Sequence, residues 1–487
     1  MLPLTSDTVD PITEHDSHKP LAFQVKLFRN SIIIVILLIV LAFLGVLYTL
    51  LISSPRQLQQ SANALEAEFD VDSVLDFVHQ ITKLGPHPFG SPAQREHVLP
   101  YVFNEAIPSV VNLARSLNWE AGQSVICSDG TAMIEGAPYA YYNVCNGVLS
   151  FAPPGISLDS PGIVLSAHID SIFWAPGAFD NAINAGIALE LSRGILKHSS
   201  NLDSFKHPIH IILGDAEEIG LFTSHVAINT MPEKLGVVIN LEAVGWGGKS
   251  VLFRWTPEHQ SSLLKHVRKA SDVLVAGIAT DIFASGIIGS MTDYYYYSTV
   301  CPVLDFAFVE KTERYHTYFD RYPQDKKEEE EMKRSAADTL VNLYQIVESI
   351  ASEDELDFDS GSGSWFILPV PGIVILVFPA VFTNTFLLVG FIFLVFVVIR
   401  KDYSLKREVK NPDLNWFLVV GFVIGQLLIP IILCAFFGFI LRAVNSMSLH
   451  AFPVVATSMF FLLTTSGLFL LILCCSTVPM IVFFYVF

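Results

Sequence analysis

Five side chains of the types that bind divalent metal ions lie far apart in the 487-residue sequence, four of them after short β-branched runs and one at the start of a predicted helix. Two of them are imidazoles and three are carboxylates. A donor set of this kind, without thiolates, suits zinc or another borderline divalent cation. The five residues are His168, Asp180, Glu218, Glu242 and His316.

The number of donors favours two ions over one. Five ligands around one ion would leave little room for water, whereas one shared carboxylate lets five ligands hold two ions about 3.5–4 Å apart, each with an open position. Asp170 lies two residues beyond His168 on the same face of a strand. Its carboxylate can therefore reach the second ring nitrogen of His168, the contact that metal-bound histidines usually need.

The doublet Glu217-Glu218 can divide two tasks between neighbouring residues. Adjacent side chains point in different directions, so one can bind metal while the other faces water beside the metal. A carboxylate in that place acts as general base towards water of lowered pKa. An isolated acidic doublet is more often an exposed turn. Its position after a buried strand, with His168-x-Asp170 ending another strand, favours the catalytic interpretation.

The elements that must position these residues follow an alternating pattern. A helix is predicted over 180–194, between two β-branched runs, and further runs follow it. Strands alternating with helices predict an α/β domain with a mostly parallel mixed sheet flanked by helices. In such sheets, functional groups gather at the carboxyl ends of the strands. The predicted strands are 162–167, 209–214, 236–241 and 302–308.

The segments on both sides of this domain are predicted to lie in a membrane. Charged residues make up 16% of the chain, against about a quarter in soluble domains, and the deficit is local. Residues 31–52 carry no charge and are long enough to cross a hydrocarbon core of about 30 Å. Residues 365–487 are again largely apolar. Further spans are predicted at 372–399, 417–440 and 454–475.

The basic residues predict the orientation in the bilayer. Lys26 and Arg29 precede the first span, and a basic loop lies at 400–410; basic loops stay cytosolic. We therefore expect a cytosolic tail at 1–30 and a lumenal domain at 53–364. The apolar run 478–487 is too short to cross alone, which suggests further membrane segments beyond it. The net charge of −18 argues against a nucleic-acid partner, because phosphate binding needs clustered cations.

Two cysteines of the globular part, Cys127 and Cys145, leave two alternatives open. In an oxidising lumen they can pair across a hairpin-like segment. They can equally be buried thiols. No CxxC spacing occurs in the chain, so a cysteine-bound zinc is not expected.

The order of the motifs resembles that of the M28 family of co-catalytic zinc aminopeptidases. The membrane arrangement resembles the endoplasmic reticulum metallopeptidase branch of that family, and vacuolar membrane proteases are similar. The resemblance implies a zinc-exopeptidase fold, and a place in the endoplasmic reticulum membrane with the vacuolar membrane as second choice. The motifs are His168-Ile169-Asp170-Ser171, Gly177-Ala178-Phe179-Asp180-Asn181-Ala182, Ala216-Glu217-Glu218, Asn240-Leu241-Glu242 and Tyr315-His316-Thr317-x-x-Asp320.

The resemblance also implies a role for each residue. His168 and Glu242 would hold one zinc ion, Glu218 and His316 the other, and Asp180 would bridge them. Glu217 would be the general base and acid, with Asp170 supporting His168. The substrates would be peptides or proteins with a free N-terminus.

Two other functions fit the same fold. One is a catalytically inactive scaffold or receptor, which would have lost metal ligands; here all five ligands and the base are present. The other is a glutaminyl-cyclase-like acyltransferase, which resembles this fold with one zinc ion. The presence of both His168 and Glu242, together with Tyr315-His316-Thr317, favours the peptidase.

Overall fold

A computed structural model describes the globular part of the chain. It covers residues 68–358, except 135, 199–203, 271–272, 277–278, 281–282 and 284–290, and the backbone of 365–370 and 374–379. The predicted tail 1–30 and the predicted spans 31–52, 417–440 and 454–475 lie outside the described residues. Among the helices that are described, none is long and apolar enough to span a bilayer.

The centre of the described part is a mixed sheet of eight strands. Its spatial order is β1-β2-β4-β3-β5-β8-β6-β7. The strands are β1 Glu120–Ile134, β2 Ala137–Ala152, β3 Gly162–His168, β4 Ile209–Gly214, β5 Leu235–Ala243, β6 Ser250–Trp255, β7 Leu274–Val275 and β8 Val303–Phe308.

The four central strands β4, β3, β5 and β8 run parallel to their neighbours, whereas β2 and β6 flank them antiparallel. Parallel register places His168 beside Gly214, and Glu242 beside Ala307. The carboxyl ends of the central strands therefore lie at one edge, as the sequence predicts. The mostly parallel mixed sheet is confirmed.

Helices cover both faces of the sheet, which confirms the predicted layers. A helical run over 94–116 contains π turns at Gln94–Val98 and Val102–Ala106 and an α turn at Leu99–Tyr101 before its last part. The helices are α1 Val71–Thr82, α2 Ile107–Ser116, α3 Asn184–His198, α4 Phe222–Thr230, α5 Gln260–Val267, α6 Tyr294–Tyr297 and α7 Lys326–Ala351.

Strand β3 is buried on both faces of the sheet. All of its residues are buried, as expected for a parallel strand with helices on both sides. Ile163 and Leu165 belong to the large core that contains residues of α1, α3 and α7. Val164 points the other way, into a smaller cluster with Ala227 of α4 and Tyr297 of α6.

Helix α7 begins with a run of charged residues at 326–334. Asp325 caps it, since its side chain accepts a hydrogen bond from the backbone N–H of Glu328, a common N-terminal arrangement. Lys326 and Lys327 are exposed, and the buried face of the helix begins at Met332. The charged residues at the start of this run thus lie on the surface of the helix.

Cys127 and Cys145 form a disulfide. The two residues are directly paired partners of the antiparallel strands β1 and β2. Of the two alternatives that the sequence left open, the disulfide is therefore the one realised. Cys301 is a buried free thiol.

Six residues near the start of the predicted span at 372–399 form a strand. Backbone pairing joins strands β9, Trp365–Val370, and β10, Val374–Pro379, in an antiparallel hairpin. Val374, Ile375 and Val377 are β-branched, and such residues favour extended backbone. The rest of the predicted span lies outside the described residues.

A buried histidine in β4 makes the stability of the domain sensitive to acid. His210 lies against Ser150, with 2.8 Å between its Nδ1 and the Ser150 Oγ. Burial lowers the pKa of His210 to about 4, and the charge of Lys234 adds to this effect. A depressed histidine pKa means that its stabilising contribution is complete above the unfolded value near 6.5 and is lost as the pH falls towards 4.

We therefore expect the free energy of unfolding to fall by up to about 3 kcal/mol between pH 6.5 and 4, because unfolding lets His210 take up a proton. His210→Asn keeps a polar partner for Ser150 but has no proton to gain. Urea unfolding of the solubilised chain, followed by tryptophan fluorescence across this range, should show a shallower pH dependence in the variant. Identical pH dependence in both proteins would contradict this account.

Candidate metal centre

The predicted ligands come from the ends of three central strands and from two loops. His168 is the last residue of β3, and Glu242 is the next-to-last residue of β5. Glu218 follows β4, Asp180 follows β3 through a turn, and His316 lies in the loop after β8. The structure brings all five side chains to the same edge of the sheet.

The turn that presents Asp180 depends on its local sequence. Gly177 has a φ of 70°, a conformation that favours glycine. A Cβ atom at this position would lie 2.6 Å from the backbone oxygen of Asp180. Glycine is therefore the residue that lets the chain turn back from β3 and place Asp180 opposite His168.

His168 faces two carboxylates through one ring nitrogen. Its Nε2 lies 3.3 Å from Asp180 Oδ1 and 3.5 Å from Glu242 Oε2. The imidazole is fully buried, and the two carboxylates are almost fully buried. These three groups form the first triad of the site.

His316 forms a second triad with the other oxygen of Asp180. Its Nε2 lies 3.2 Å from Asp180 Oδ2 and 3.1 Å from Glu218 Oε2. The two oxygens of Asp180 thus face two different imidazoles. Donor atoms of His168, Asp180 and Glu218 also lie within 4.8 Å of one another, so the triads adjoin.

Two observations indicate that these donors fit metal ions. Three buried atoms, His168 Nε2, His316 Nε2 and Glu218 Oε1, find no hydrogen-bond partner in the described part of the chain, although such atoms are usually satisfied. Ligands about 2.0–2.1 Å from a tetrahedral zinc ion lie about 3.3–3.4 Å from each other. The nitrogen–oxygen distances in both triads, 3.1–3.5 Å, are close to that separation.

Asp170 holds the acidic doublet more directly than it holds His168. Its two carboxylate oxygens accept hydrogen bonds from the backbone N–H groups of Glu217 and Glu218, both at 3.1 Å. Its Oδ1 also lies 3.3 Å from His168 Nδ1, while that nitrogen is 3.1 Å from the backbone oxygen of Asp170. One buried carboxylate therefore fixes both the histidine and the turn after β4.

Glu217 stands slightly apart from the two triads. Its Oε2 lies 4.0 Å from His168 Nε2, farther than any carboxylate oxygen of the triads. The side chain is 8% exposed and lines the cavity beside the triads. This position suits a group that acts on a reacting molecule beside the metal ligands.

The electrostatics of the cluster show a surplus of negative charge. Burial raises the pKa of Glu217 well above its usual range, and the charge of Glu242 adds to the effect. Burial and the charge of Asp180 raise the pKa of Glu218 to about 8. Burial opposes a proton on His168, but the surrounding carboxylates outweigh it and hold the pKa of His168 well above normal. Divalent cations would neutralise the same surplus.

A carboxylate without a role in the sequence prediction positions Asp180. Asp320 Oδ1 accepts from the backbone N–H of Phe179 at 2.8 Å, and its Oδ2 accepts from that of Asp180 at 3.1 Å. Asp320 is buried and ends the Tyr-His-Thr-x-x-Asp motif, so the motif itself was the available signal. It links the loop of His316 to the turn of Asp180.

A second group that the sequence did not reveal lies behind Glu242. Arg254 donates from Nε and Nη2 to Asp305 Oδ2 at 3.0 and 2.7 Å. The Asn240 amide donates to Asp305 Oδ1 at 2.9 Å and to Glu242 Oε1 at 3.3 Å. Nothing in the spacing of these residues predicts this network, because its members lie on three different strands.

Four consecutive tyrosines, Tyr294–Tyr297, form helix α6. Three of these hydroxyls already have partners away from the site. Tyr294 bonds the backbone oxygen of Trp255, Tyr296 that of Met133, and Tyr297 the hydroxyl of Ser166. Packing is therefore their main role.

Tyr315, by contrast, lines a cavity of about 180 Å³ that contains the acidic residues. Its ring stacks on the imidazole of His316 with 3.8 Å between ring centroids. The cavity lining also includes the apolar residues Leu221, Val244 and Met291. A small cavity lined by both carboxylates and apolar side chains suits a ligand that carries a cationic group and an apolar group.

The family comparison agrees with this geometry. Residues 153–340 match the model of peptidase family M28. Over these residues the chain is similar to the M28 peptidases. The matched segment contains both triads and Glu217, and it ends inside helix α7.

Curated proteins are similar to this chain at modest sequence identity. The chain is 28% identical over 337 residues to endoplasmic reticulum metallopeptidase 1 of Mus musculus. The aligned segment covers 68% of this chain and 36% of that protein. It is 29% identical over 245 residues to the vacuolar membrane protease of Schizosaccharomyces pombe, covering 48% of this chain and 27% of that protein. The chain thus spans well under half the length of these curated relatives.

Solved structures match more remotely. An aminopeptidase from Aneurinibacillus sp. strain AM-1 is 13% identical, with a TM-score of 0.40 over 58% of this chain and 95% of that one. The glutaminyl cyclase of Porphyromonas gingivalis is 17% identical, with a TM-score of 0.39 over 58% of this chain and 99% of that one.

Proposed function

We propose that this protein is a membrane-anchored zinc metallopeptidase that acts as an aminopeptidase through a two-metal site. The observation that carries the proposal is the placement of Asp180. Its two carboxylate oxygens face two different imidazole nitrogens, and neither nitrogen has a hydrogen-bond partner among the described residues. A carboxylate shared between two histidine-centred triads is the arrangement that a pair of ions requires.

The proposed ligands follow from the contacts. His168 and Glu242 would hold one zinc ion, Glu218 and His316 would hold the other, and Asp180 would serve both. When bound, zinc ions act as Lewis acids on the scissile carbonyl and on water, and they stabilise the negative charge that develops on the carbonyl oxygen.

Glu217 is the proposed general base and acid. Its carboxylate takes a proton from the attacking water and then gives that proton to the leaving amine nitrogen, so that one residue serves both steps. Burial and the neighbouring carboxylates raise the pKa of Glu217, and bound cations would oppose that effect. Asp170 keeps the backbone of Glu217 in place through the hydrogen bond to its N–H.

The cavity supports cleavage at a free N-terminus. At about 180 Å³ it has room for roughly one residue, and four carboxylates line it: Asp180, Glu217, Glu218 and Glu242. A substrate α-amine is cationic at neutral pH and is attracted by such a field. A neutral, blocked N-terminus would lack this attraction.

The second triad also bears on the other two functions. A one-zinc cyclase has no need of two histidine-centred triads that share a carboxylate. A scaffold without catalysis has no need of a complete ligand set beside Glu217. Both alternatives therefore leave part of the observed arrangement unexplained, whereas the two-metal peptidase uses all of it.

The proposed location is an endomembrane, with residues 53–364 in the lumen and the predicted spans as anchors. The Cys127–Cys145 disulfide supports an oxidising compartment, and the basic loop at 400–410 supports the orientation. The named relatives favour the endoplasmic reticulum over the vacuole. Peptides with free N-termini and the lipid bilayer are the proposed partners.

The proposal predicts that purified full-length protein with zinc releases N-terminal residues from a library of unblocked peptides and spares the acetylated library. Chelation should abolish the release, and added zinc should restore it, because each ion is held only by protein donors. Mass spectrometry of the products checks this. A cyclase would instead remove ammonia from peptides that begin with glutamine, and a scaffold would leave both libraries intact.

A further inference from the structure

Four large aromatic side chains stand exposed on two loops beside the metal centre. The exposed fractions are 69% for Phe173, 61% for Trp174, 64% for Tyr318 and 57% for Phe319. We call these four residues the aromatic rim. Single exposed apolar residues are ordinary on protein surfaces, but a group of them next to a functional cavity usually marks a binding surface.

The two loops of the aromatic rim are joined to each other at the mouth of the cavity. The Trp174 indole N–H donates to the backbone oxygen of His316 at 2.8 Å. At the other end of the same loops, the Asp320 carboxylate accepts from the backbone of Phe179 and Asp180. The two loops are therefore tied to each other at two points, and His316, on the second loop, also lines the cavity.

Contacts within the chain support both loops of the aromatic rim. The guanidinium of Arg321 lies 5.9 Å from the ring centroid of Tyr318 and 5.6 Å from that of Phe319. The first loop is anchored at its start, where Ser171 Oγ accepts from the backbone N–H of His87 at 2.9 Å. Rigid aromatic side chains bind apolar groups at a small entropic cost, because little freedom is lost on binding.

We propose that the aromatic rim binds the side chain of the residue that follows the scissile bond, and so selects peptides with a large apolar second residue. The inference rests on the proposed function. A cavity with room for about one residue holds the N-terminal residue, so the rest of an extended peptide must leave across the mouth. The loops at the mouth carry the four rim residues.

The bilayer is the other surface that aromatic side chains often contact, and the local charge argues against it here. Four carboxylates line the cavity next to the rim, and the chain as a whole carries a net charge of −18. Anionic membrane surfaces attract basic segments instead. A peptide with a cationic N-terminus matches both the acidic cavity and the apolar rim.

The test measures peptide binding, so that it does not depend on turnover. Full-length protein with the Glu217→Gln substitution, in detergent with zinc, is titrated by calorimetry with Leu-Phe-Ala and with Leu-Ser-Ala. Leu-Phe-Ala should bind about tenfold more tightly, because it covers rim surface that a serine cannot reach. Adding Phe173→Ala and Phe319→Ala should reduce this preference to less than about twofold, and each single change should reduce it in part.

Tyr142→Ala is the matched control, since Tyr142 is an exposed aromatic residue of β2 outside both loops; it should keep the full preference. Equal affinity for the two peptides, or a preference that survives the double substitution, would overturn the proposal. Quenching of Trp174 fluorescence by brominated lipids in a nanodisc, absent in Trp174→Phe, would also overturn it in favour of membrane contact. If the preference holds while wild-type protein cleaves neither peptide, the rim stands and the proposed peptidase activity fails.

Discussion

Replacement of Glu217 by glutamine is expected to lower kcat for peptide hydrolysis by about 10²–10⁴-fold and to leave the zinc content unchanged. Glutamine has nearly the same shape but cannot take a proton from water. The metal ligands should be unaffected, because Glu217 lies farther from the imidazoles than the triad carboxylates do. Steady-state kinetics on a cleaved library peptide and elemental analysis of the same sample measure the two quantities.

The neighbouring residue provides a matched control. Glu218→Gln makes the same chemical change one position away, but it weakens a carboxylate that lies 3.1 Å from His316 Nε2. We expect this variant to lose zinc as well as activity, while both variants keep the backbone hydrogen bonds to Asp170. Unchanged turnover in Glu217→Gln would exclude Glu217 as the base, and equal zinc loss in both variants would make it a ligand.

The central strands and the residues at their ends could be predicted because local sequence determines them. Buried parallel strands need β-branched residues on both faces, and the segment 209–214 was predicted with the bounds that β4 has. Polar residues directly after such strands must lie at the carboxyl edge of the sheet. His168 and Glu242 could therefore be placed in one site without knowledge of any contact.

The supports of the site could not be predicted in the same way, because they depend on contacts between distant segments. Asp320 acts on Phe179 and Asp180, about 140 residues earlier in the chain. Arg254 reaches Glu242 only through Asp305 and Asn240. A buried charge of this kind has no periodicity or spacing of its own, so the sequence shows the residue but not its partner.

The first residues of the predicted span at 372–399 illustrate a different limit. Hydropathy measures how apolar a segment is, and both a membrane helix and a buried strand are apolar. Val374–Pro379 is rich in β-branched residues and ends at proline, and the structure places it in a hairpin. Residue type within an apolar run was the information that hydropathy alone did not use.

Removal of Asp180 should have the largest effect on metal binding, because both triads depend on it. In the proposed site, His316→Ala removes a donor of one ion, whereas Asp180→Ala removes a donor of both. Against about two zinc equivalents in the wild type, we expect about one in His316→Ala and well under one in Asp180→Ala. Elemental analysis after dialysis against a weak chelator gives these values.

Matched substitutions separate loss of donors from general damage. Asp354→Ala makes the same change at a surface carboxylate whose visible partner is Lys206, and His97→Ala does so at an exposed histidine; both should keep wild-type zinc. Equal retention in Asp180→Ala and His316→Ala would show that Asp180 serves only one ion. A wild-type protein that binds one zinc equivalent would contradict the two-metal site. Asp180 would then be an ordinary ligand of one ion, and the one-zinc cyclase would again be the better explanation. The zinc content of the Asp180 variant therefore distinguishes a two-metal peptidase from a one-metal cyclase.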